Sequence, residues 1–232
     1  MSMLGQAALA MWWDVSKEMR EEWEHWHSHE HFPERLSIPG FLRASRWRDA
    51  AGGEGFFVMY ELDNHAVLAS APYVARLNAP TPWSTRMMPQ HRNMVRSQCQ
   101  VLHSQGVVTA GHVMTLRCSP ADGQEEALQR HIIELAASVS QSPGVVGLHL
   151  LRHQAPQMDM TTEQKIRGNT DLAADWIIVV SGYDQDALRR LANDELSDNR
   201  LSNMGGVLET RWQYFSLAAT ATPPDVGCSA WS

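Results

Sequence analysis

The feature that most constrains this chain is a repeated order of elements. It is punctuated by two Pro-Gly pairs, Pro39-Gly40 and Pro143-Gly144, 104 residues apart. Residues 7–15 form a continuous apolar run, the pattern of a strand buried on both faces. Ser16 can cap a helix over 17–31 with acidic residues in its early turns, and Pro33 is expected to end or kink it. After Pro39-Gly40, residues 41–48 and 56–62 read as strands around a turn-rich loop, 49–55, which makes a hairpin. Asp63 or Asn64 can cap a second helix over 65–77, interrupted by Pro80 and Pro82, and residues 99–103 read as a further strand.

The same sequence of events recurs. Residues 111–118 read as a strand, and Asp122 as the cap of a helix over 124–138. Residues 145–153 and 176–181 follow as strands, then a helix capped by Asp184, then a last strand at 208–217. Each half has the order β-α-β-β-α-β, the ferredoxin-like arrangement. Identity between the halves is low, so the duplication rests on element order and punctuation. The expected organisation is a first half at 1–106, a second at 107–218 and an extended tail at 219–232. The second hairpin connection, roughly 154–175, is long and polar, which suits a functional loop.

Burial dictates what two such halves do. Two helices cover one face of a four-stranded sheet and leave the other bare. Here both alternating sets are apolar: Leu9, Met11 and Trp13 against Ala8, Ala10 and Trp12, and Ile178 and Val180 against Ile177 and Val179. Both faces need cover. Packing the two antiparallel sheets face to face into one eight-stranded α+β barrel supplies it, with a mixed interior able to hold a small ligand. The expected fold class is therefore α+β.

Composition removes several functions. A formal net charge of -7, with no run of Lys and Arg, leaves no electrostatic footprint for nucleic acid or an anionic membrane. No stretch approaches the ~18–20 apolar residues of a spanning helix. The apolar N-terminus lacks the basic residues of a signal peptide, and Cys99, Cys118 and Cys228 form no CxxC pair. The expected setting is cytoplasmic, with reduced thiols. There is no GxGxxG, P-loop, HExxH or GxSxG, so the reading calls for no cofactor. Nine Trp and twelve Met suit either a bulky core or an adaptable apolar pocket.

Chemistry concentrates in residues 21–41. On a helix, His25 and His29 share one face, and His27 and His31 another about 160° away. Either pair supplies two legs of a metal site, but a third ligand is missing locally; His112, His149 and His153 are the candidates elsewhere. The alternative is a solvated, His-rich face. Trp23, Trp26, His27, Glu30 and Glu34 adjoin at i,i+3 and i,i+4. Two indoles, an imidazole and a carboxylate form a wall for an aromatic or ketonic ligand, and His beside Glu suits general base chemistry. Against that stands plain packing of the tryptophans, with Glu30 paired to Arg35 or solvated. His149 and His153 share a strand face and read as core or rim residues.

The run Trp26, Glu30, His31, Pro33, Glu34, Arg35, Leu36, then Pro39, Gly40 and Phe41, resembles the signature of EthD-like proteins in the dimeric α+β barrel superfamily. The resemblance spans roughly residues 10–60, and the second half keeps only Pro143-Gly144 and the element order. It implies a barrel of two ferredoxin-like sheets and a cavity for a small organic molecule. The wider superfamily includes cofactor-independent monooxygenases, isomerases and cyclases, so no one reaction transfers. The candidate catalytic residues are His31, His27 and Glu30; the candidate ligand-binding residues are Trp23, Trp26 and Arg35. No metal ligand is assigned. Three functions follow in order: an enzyme acting without cofactor on a small aromatic or ketonic compound, a non-catalytic binding or sensor protein, and metal binding by the His-rich helix. The partner is a small molecule, and a homodimer is admitted.

Overall fold

The computed structural model describes residues 3–106, 108–168 and 172–227. In chain order the elements are β1 (Ala7–Asp14), α1 (Arg20–Trp26), a π-turn (His27–His31), α2 (Phe32–Leu36), β2 (Phe41–Asp49), β3 (Gly55–Leu62), a 3-10 turn (His65–Ala69), α3 (Ala71–Asn78), α4 (Pro82–Met87), a 3-10 turn (Met88–Gln90) and β4 (Arg92–Gly106). Then come β5 (His112–Pro120), α5 (Glu125–Val139), β6 (Val145–His153), α6 (Thr162–Arg167), β7 (Trp176–Gly182), α7 (Gln185–Asn193), α8 (Asp198–Asn203), β8 (Gly206–Leu208), β9 (Gln213–Ala221) and α9 (Pro223–Val226). Cys228 lies outside the described residues. None of the described helices is long and apolar enough to cross a membrane.

The chain divides into two compact units. The first comprises Leu4–Cys99, Gln154–Ala173 and Ala218–Ser232; the second comprises Met1–Met3, Gln100–His153 and Ala174–Leu217. In the first unit the strand order is β4-β1-β3-β2, the ferredoxin-like order. β1 runs antiparallel to β3, with Leu9 opposite Tyr60 and Trp13 opposite Phe56. Both alternating sets of β1 are buried, as its unbroken apolar run requires. One set, Leu9, Met11 and Trp13, packs with Phe56, Val58 and Tyr60 under Trp23, Trp26, Phe32 and Leu36 of the helical segment. Each such large side chain contributes roughly 1.5–3 kcal/mol on burial. On the other face Trp12 and Trp47 sandwich Phe57, with ring centroids 5.0 and 5.1 Å apart. Beside this stack the cross-strand partners Arg43 and Glu61 form a buried ion pair.

The second unit repeats the plan. Its order is β9-β5-β7-β6. Its core joins Met114, Leu116, Leu148, Leu150, Ile178 and Val180 to Leu128 and Ile132 of α5 and Leu188 of α7. Asp184 caps α7, accepting from the amides of Asp186 and Ala187. Asp122 does not cap α5: that helix starts at Glu125, and its N-cap, Gln124, makes no side-chain capping bond. β4 and β9 each pass from one unit into the other, at Cys99/Gln100 and Leu217/Ala218. Followed through its hydrogen bonds, the strand order is β7-β6-β4-β1-β3-β2-β9-β5, and the β5–β7 pairing closes it. This is the eight-strand order of an α+β barrel, with β8 added beside β5.

Several local expectations need correction. Pro33 does not end the first helix, because a π-turn precedes it: the Phe32 amide reaches the His27 carbonyl, and Pro33 falls in the first turn of α2, where no amide is required. The helix expected at 65–77 splits at Ser70, since Pro72 starts a new one. The strand expected at 208–217 breaks into β8 and β9. β9 continues to Ala221, and α9 follows it.

Candidate ligand site in the first unit

A cavity lies on the helix-bearing side of the first unit's sheet. It is lined by Leu9, Met11 and Trp13 and not by the alternate set, Ala8, Ala10 and Trp12. Tyr60, Tyr73, Leu77, Met88 and Met94 extend the apolar wall, and the polar lining is His31, His91, Arg35, Arg96, Glu163 and Arg167. About 30 Å³ is open to the centre of a water-sized sphere. That is room for about two waters, well short of an aromatic ring.

The histidines divide as their helical spacing requires. His25 and His29 are exposed, whereas His27 and His31 are buried. His27 stacks on Trp23 at 4.6 Å between ring centroids, and neither of its ring nitrogens has a hydrogen-bond partner. His31 lies 4.6 Å from the Trp26 ring and lines the cavity; its Nδ1 has no hydrogen-bond partner and stands 3.8 Å from Glu34 Oε2. His91, in the segment before β4, completes the group. It accepts the Trp23 indole N–H at Nε2, at 2.8 Å. An indole nitrogen only donates, so the neutral His91 carries its proton on Nδ1, which has no partner.

All three imidazoles are held neutral at pH 7. Burial is the main cause, and positive neighbours add to it: Arg46 first for His27, Arg35 for His31 and Arg167 for His91. His91 is pushed down to about 3. Arg46 itself lies over the Trp23 ring at 5.6 Å, and burial lowers it to about 10.

Glu30 has a different position. Its Oε1 accepts from Trp26 Nε1 at 3.0 Å, Thr81 Oγ1 at 2.5 Å and Ser84 Oγ at 3.1 Å. These bonds tie the π-turn to α4. Trp23 and Trp26 are fully buried behind His91 and His31, whereas Arg35 reaches the cavity. Arg35 forms buried ion pairs with Glu34, at 3.3 Å, and with Glu163 of α6. Burial alone would pull its guanidinium down, but Glu163 and then Glu34 outweigh it and hold the charge firmly.

Of the six sequence candidates, the structure brings His31 and Arg35 to the cavity. It adds His91, Tyr60, Tyr73, Arg96, Glu163 and Arg167. Glu163 and Arg167 belong to the long polar connection, whose length was their signal. His91 had none, because it lies in an irregular segment. His149 is buried and shares a 2.9 Å hydrogen bond with Ser104 Oγ, and His112 lies 3.3 Å from Ser216 Oγ. Among the described residues no three of His, Cys, Asp or Glu are placed to hold a metal ion.

Comparison with known proteins returns a fold. No family model matches the sequence, and no curated protein matches it. Solved structures do match. An anthrone oxidase-like protein aligns with a TM-score of 0.64 at 12% identity, over 99% of each chain. A proposed monooxygenase from Lactobacillus acidophilus NCFM aligns at 0.59 and 13% identity, over 94% of this chain and 97% of that one. A ferredoxin-fold protein of Listeria monocytogenes, related to antibiotic biosynthesis monooxygenases, aligns at 0.50 and 8% identity, over 94% and 97%. This chain has their fold. It is the α+β barrel of ferredoxin-like halves that the first-helix motif implied, although none of these matches is described as EthD-like.

Proposed function

We propose that the first unit binds a small aromatic or ketonic compound in the helix-side cavity, widened by displacement of part of its wall, and catalyses proton transfer on it without a cofactor. The observation that carries this reading is the pairing of two neutral imidazoles, His31 and His91, with a wall of Trp13, Tyr60, Tyr73 and Met88 around one cavity. A carbon beside a ring ketone becomes acidic when its oxygen is hydrogen-bonded as charge develops. His91 Nδ1–H would donate to that oxygen, and His31, on the same cavity lining, would take the proton. An oxygenase, an isomerase and a lyase can each begin with this step. The monooxygenase and anthrone oxidase-like descriptions of the fold neighbours agree with it at the level of fold.

The test is loss of deuterium from the acidic ring carbon of a ketone such as anthrone, followed by NMR. Wild-type protein should accelerate the exchange, and His31→Ala should abolish it while Trp fluorescence still reports binding. Exchange that survives His31→Ala undamaged removes His31 from the acid/base role. A second reading, a non-catalytic binding or sensor protein, is favoured by how far burial holds these imidazoles below neutral basicity. Saturable binding with no exchange or consumption would select it.

A further inference from the structure

Arg35 is neutralised by two carboxylates of different origin. Glu34 is its chain neighbour. Glu163 comes from 128 residues away, on α6. The Arg35 and Glu163 side chains are only 3% and 4% exposed. Glu163 is the sole carboxylate among the described residues lining the cavity, alongside Arg35, Arg96 and Arg167; it pairs with Arg35 and stands 4.0 Å from Arg167. The lining is therefore cationic, and its one anion is supplied by a short helix from the long connection.

α6 has six residues, too few to persist as a helix without docking. A capping box between Thr161 and Gln164 starts it, and Gly168 ends it in the left-handed region at φ 71°. It is moored by Glu163 on Arg35, by the Thr162 amide on Asn78 Oδ1, at 3.0 Å, and by Ile166 packed against the core of the first unit. With Glu163 seated, the cavity is too small for a ring, so an entering ligand must displace part of the wall. Withdrawal of Glu163 alone would leave a buried guanidinium short of one counter-charge, which is strongly unfavourable. A ligand that brings its own carboxylate removes that penalty. The Tyr60 hydroxyl, buried in the same wall without a hydrogen-bond partner, offers a second donor to it.

We infer that Glu163 is an internal stand-in for the ligand, and that the cavity takes a small aromatic carboxylate whose anionic group replaces Glu163 on Arg35 as α6 lifts. This rests on the proposed small-molecule reading and narrows it to an acidic ligand class.

The experiment is a tryptophan-fluorescence titration of the full chain with two matched pairs, 2-naphthoate against 2-naphthamide and benzoate against benzamide. At least one acid should bind the wild-type protein about tenfold or more tightly than its amide. Glu163→Gln should tighten that acid by about a further tenfold and leave the amide unchanged, because it removes the competing internal anion. Hydrogen exchange on wild-type protein gives a readout that needs no variant: the acid, and not the amide, should speed exchange of the α6 amides. Amides that bind as well as the acids, or acid affinity indifferent to Glu163→Gln, overturn the inference and leave the aromatic cavity standing. Failure of both pairs to bind either protein overturns the cavity reading and the inference together.

Discussion

Three buried imidazoles set the pH response at the scale of single residues. His27, His31 and His91 stay neutral in the folded protein, with His91 down to about 3, while an unfolded chain protonates them near 6.5. The unfolded state therefore binds more protons below that value, and stability must fall with it. It is fully present above about pH 6.5 and is lost progressively as pH drops toward the native values. At pH 5 the His91 imidazole costs about 2 kcal/mol, and His27 and His31 add to the loss in the same direction. His27 allows a sharp check, because its ring stacks on Trp23 while both nitrogens lack partners. His27→Phe keeps the ring and removes the titration. Urea unfolding should find it more stable than wild type at pH 5, with a smaller gain at pH 7. A variant less stable than wild type at pH 5 would show that the imidazole has an energetic role this geometry does not contain. Glu30 gives the opposite case. Glu30→Ala strands the hydroxyl donors of Thr81 and Ser84 and leaves Trp26 Nε1 only its 3.2 Å bond to Ser84 Oγ, so it should cost about 2–3 kcal/mol in the same assay. Ligand affinity, measured where the variant is folded, should hardly change; a large loss of affinity would place Glu30 at the ligand instead.

At the scale of elements, the two Pro-Gly pairs do the same structural job twice. Gly40 and Gly144 have φ of 93° and 92°, and each starts the second strand of its unit. A Cβ on Gly40 would stand 2.4 Å from Val67 Cγ2, and on Gly144 2.3 Å from the Ala187 Cβ. Positive φ costs an L-residue roughly 1–2 kcal/mol before any clash is counted. Gly40→Ala and Gly144→Ala should each lose about 2 kcal/mol or more in chemical denaturation. Val67→Ala should recover part of the first loss, since it removes the atom in the way; no recovery would mean that strain alone sets the cost. Such punctuation is legible in a sequence because its cause is local. The same holds for the β2–β3 hairpin, the Asp184 cap, and the separation of His25 and His29 from His27 and His31. The π-turn was not legible, since it is a single widened turn that lets a helix continue across Pro33. Nor were the bonds of Trp23 to His91, 68 residues apart, and of Arg35 to Glu163, 128 apart. Those pairings depend on where the whole chain returns, which no spacing rule encodes. The motif therefore yielded one side of the cavity, and the long connection yielded only its length.

At the scale of the molecule, β4 and β9 decide how the fold comes apart. Each contributes part of its length to one unit and the rest to the other. β4 lies beside β1 in one unit and β6 in the other; β9 likewise lies beside β2 and β5. Loss of either strand removes hydrogen-bond partners from both sheets at once. Separate unfolding of the units would strand those backbone groups, so one cooperative transition is expected despite two hydrophobic cores. The cysteines supply a reporter in each unit. Cys99 on β4 is fully buried in the first, and Cys118 on β5 is 1% exposed in the second. Burial raises both thiols, Cys118 to about 12, so neither reacts until the surrounding structure opens. Pulsed alkylation across a urea series, read peptide by peptide by mass spectrometry, should give the two cysteines the same midpoint and the same slope. Cys99 labelling at a lower urea concentration than Cys118, or the reverse, would mean that one core survives the loss of the other and that the shared strands do not couple them.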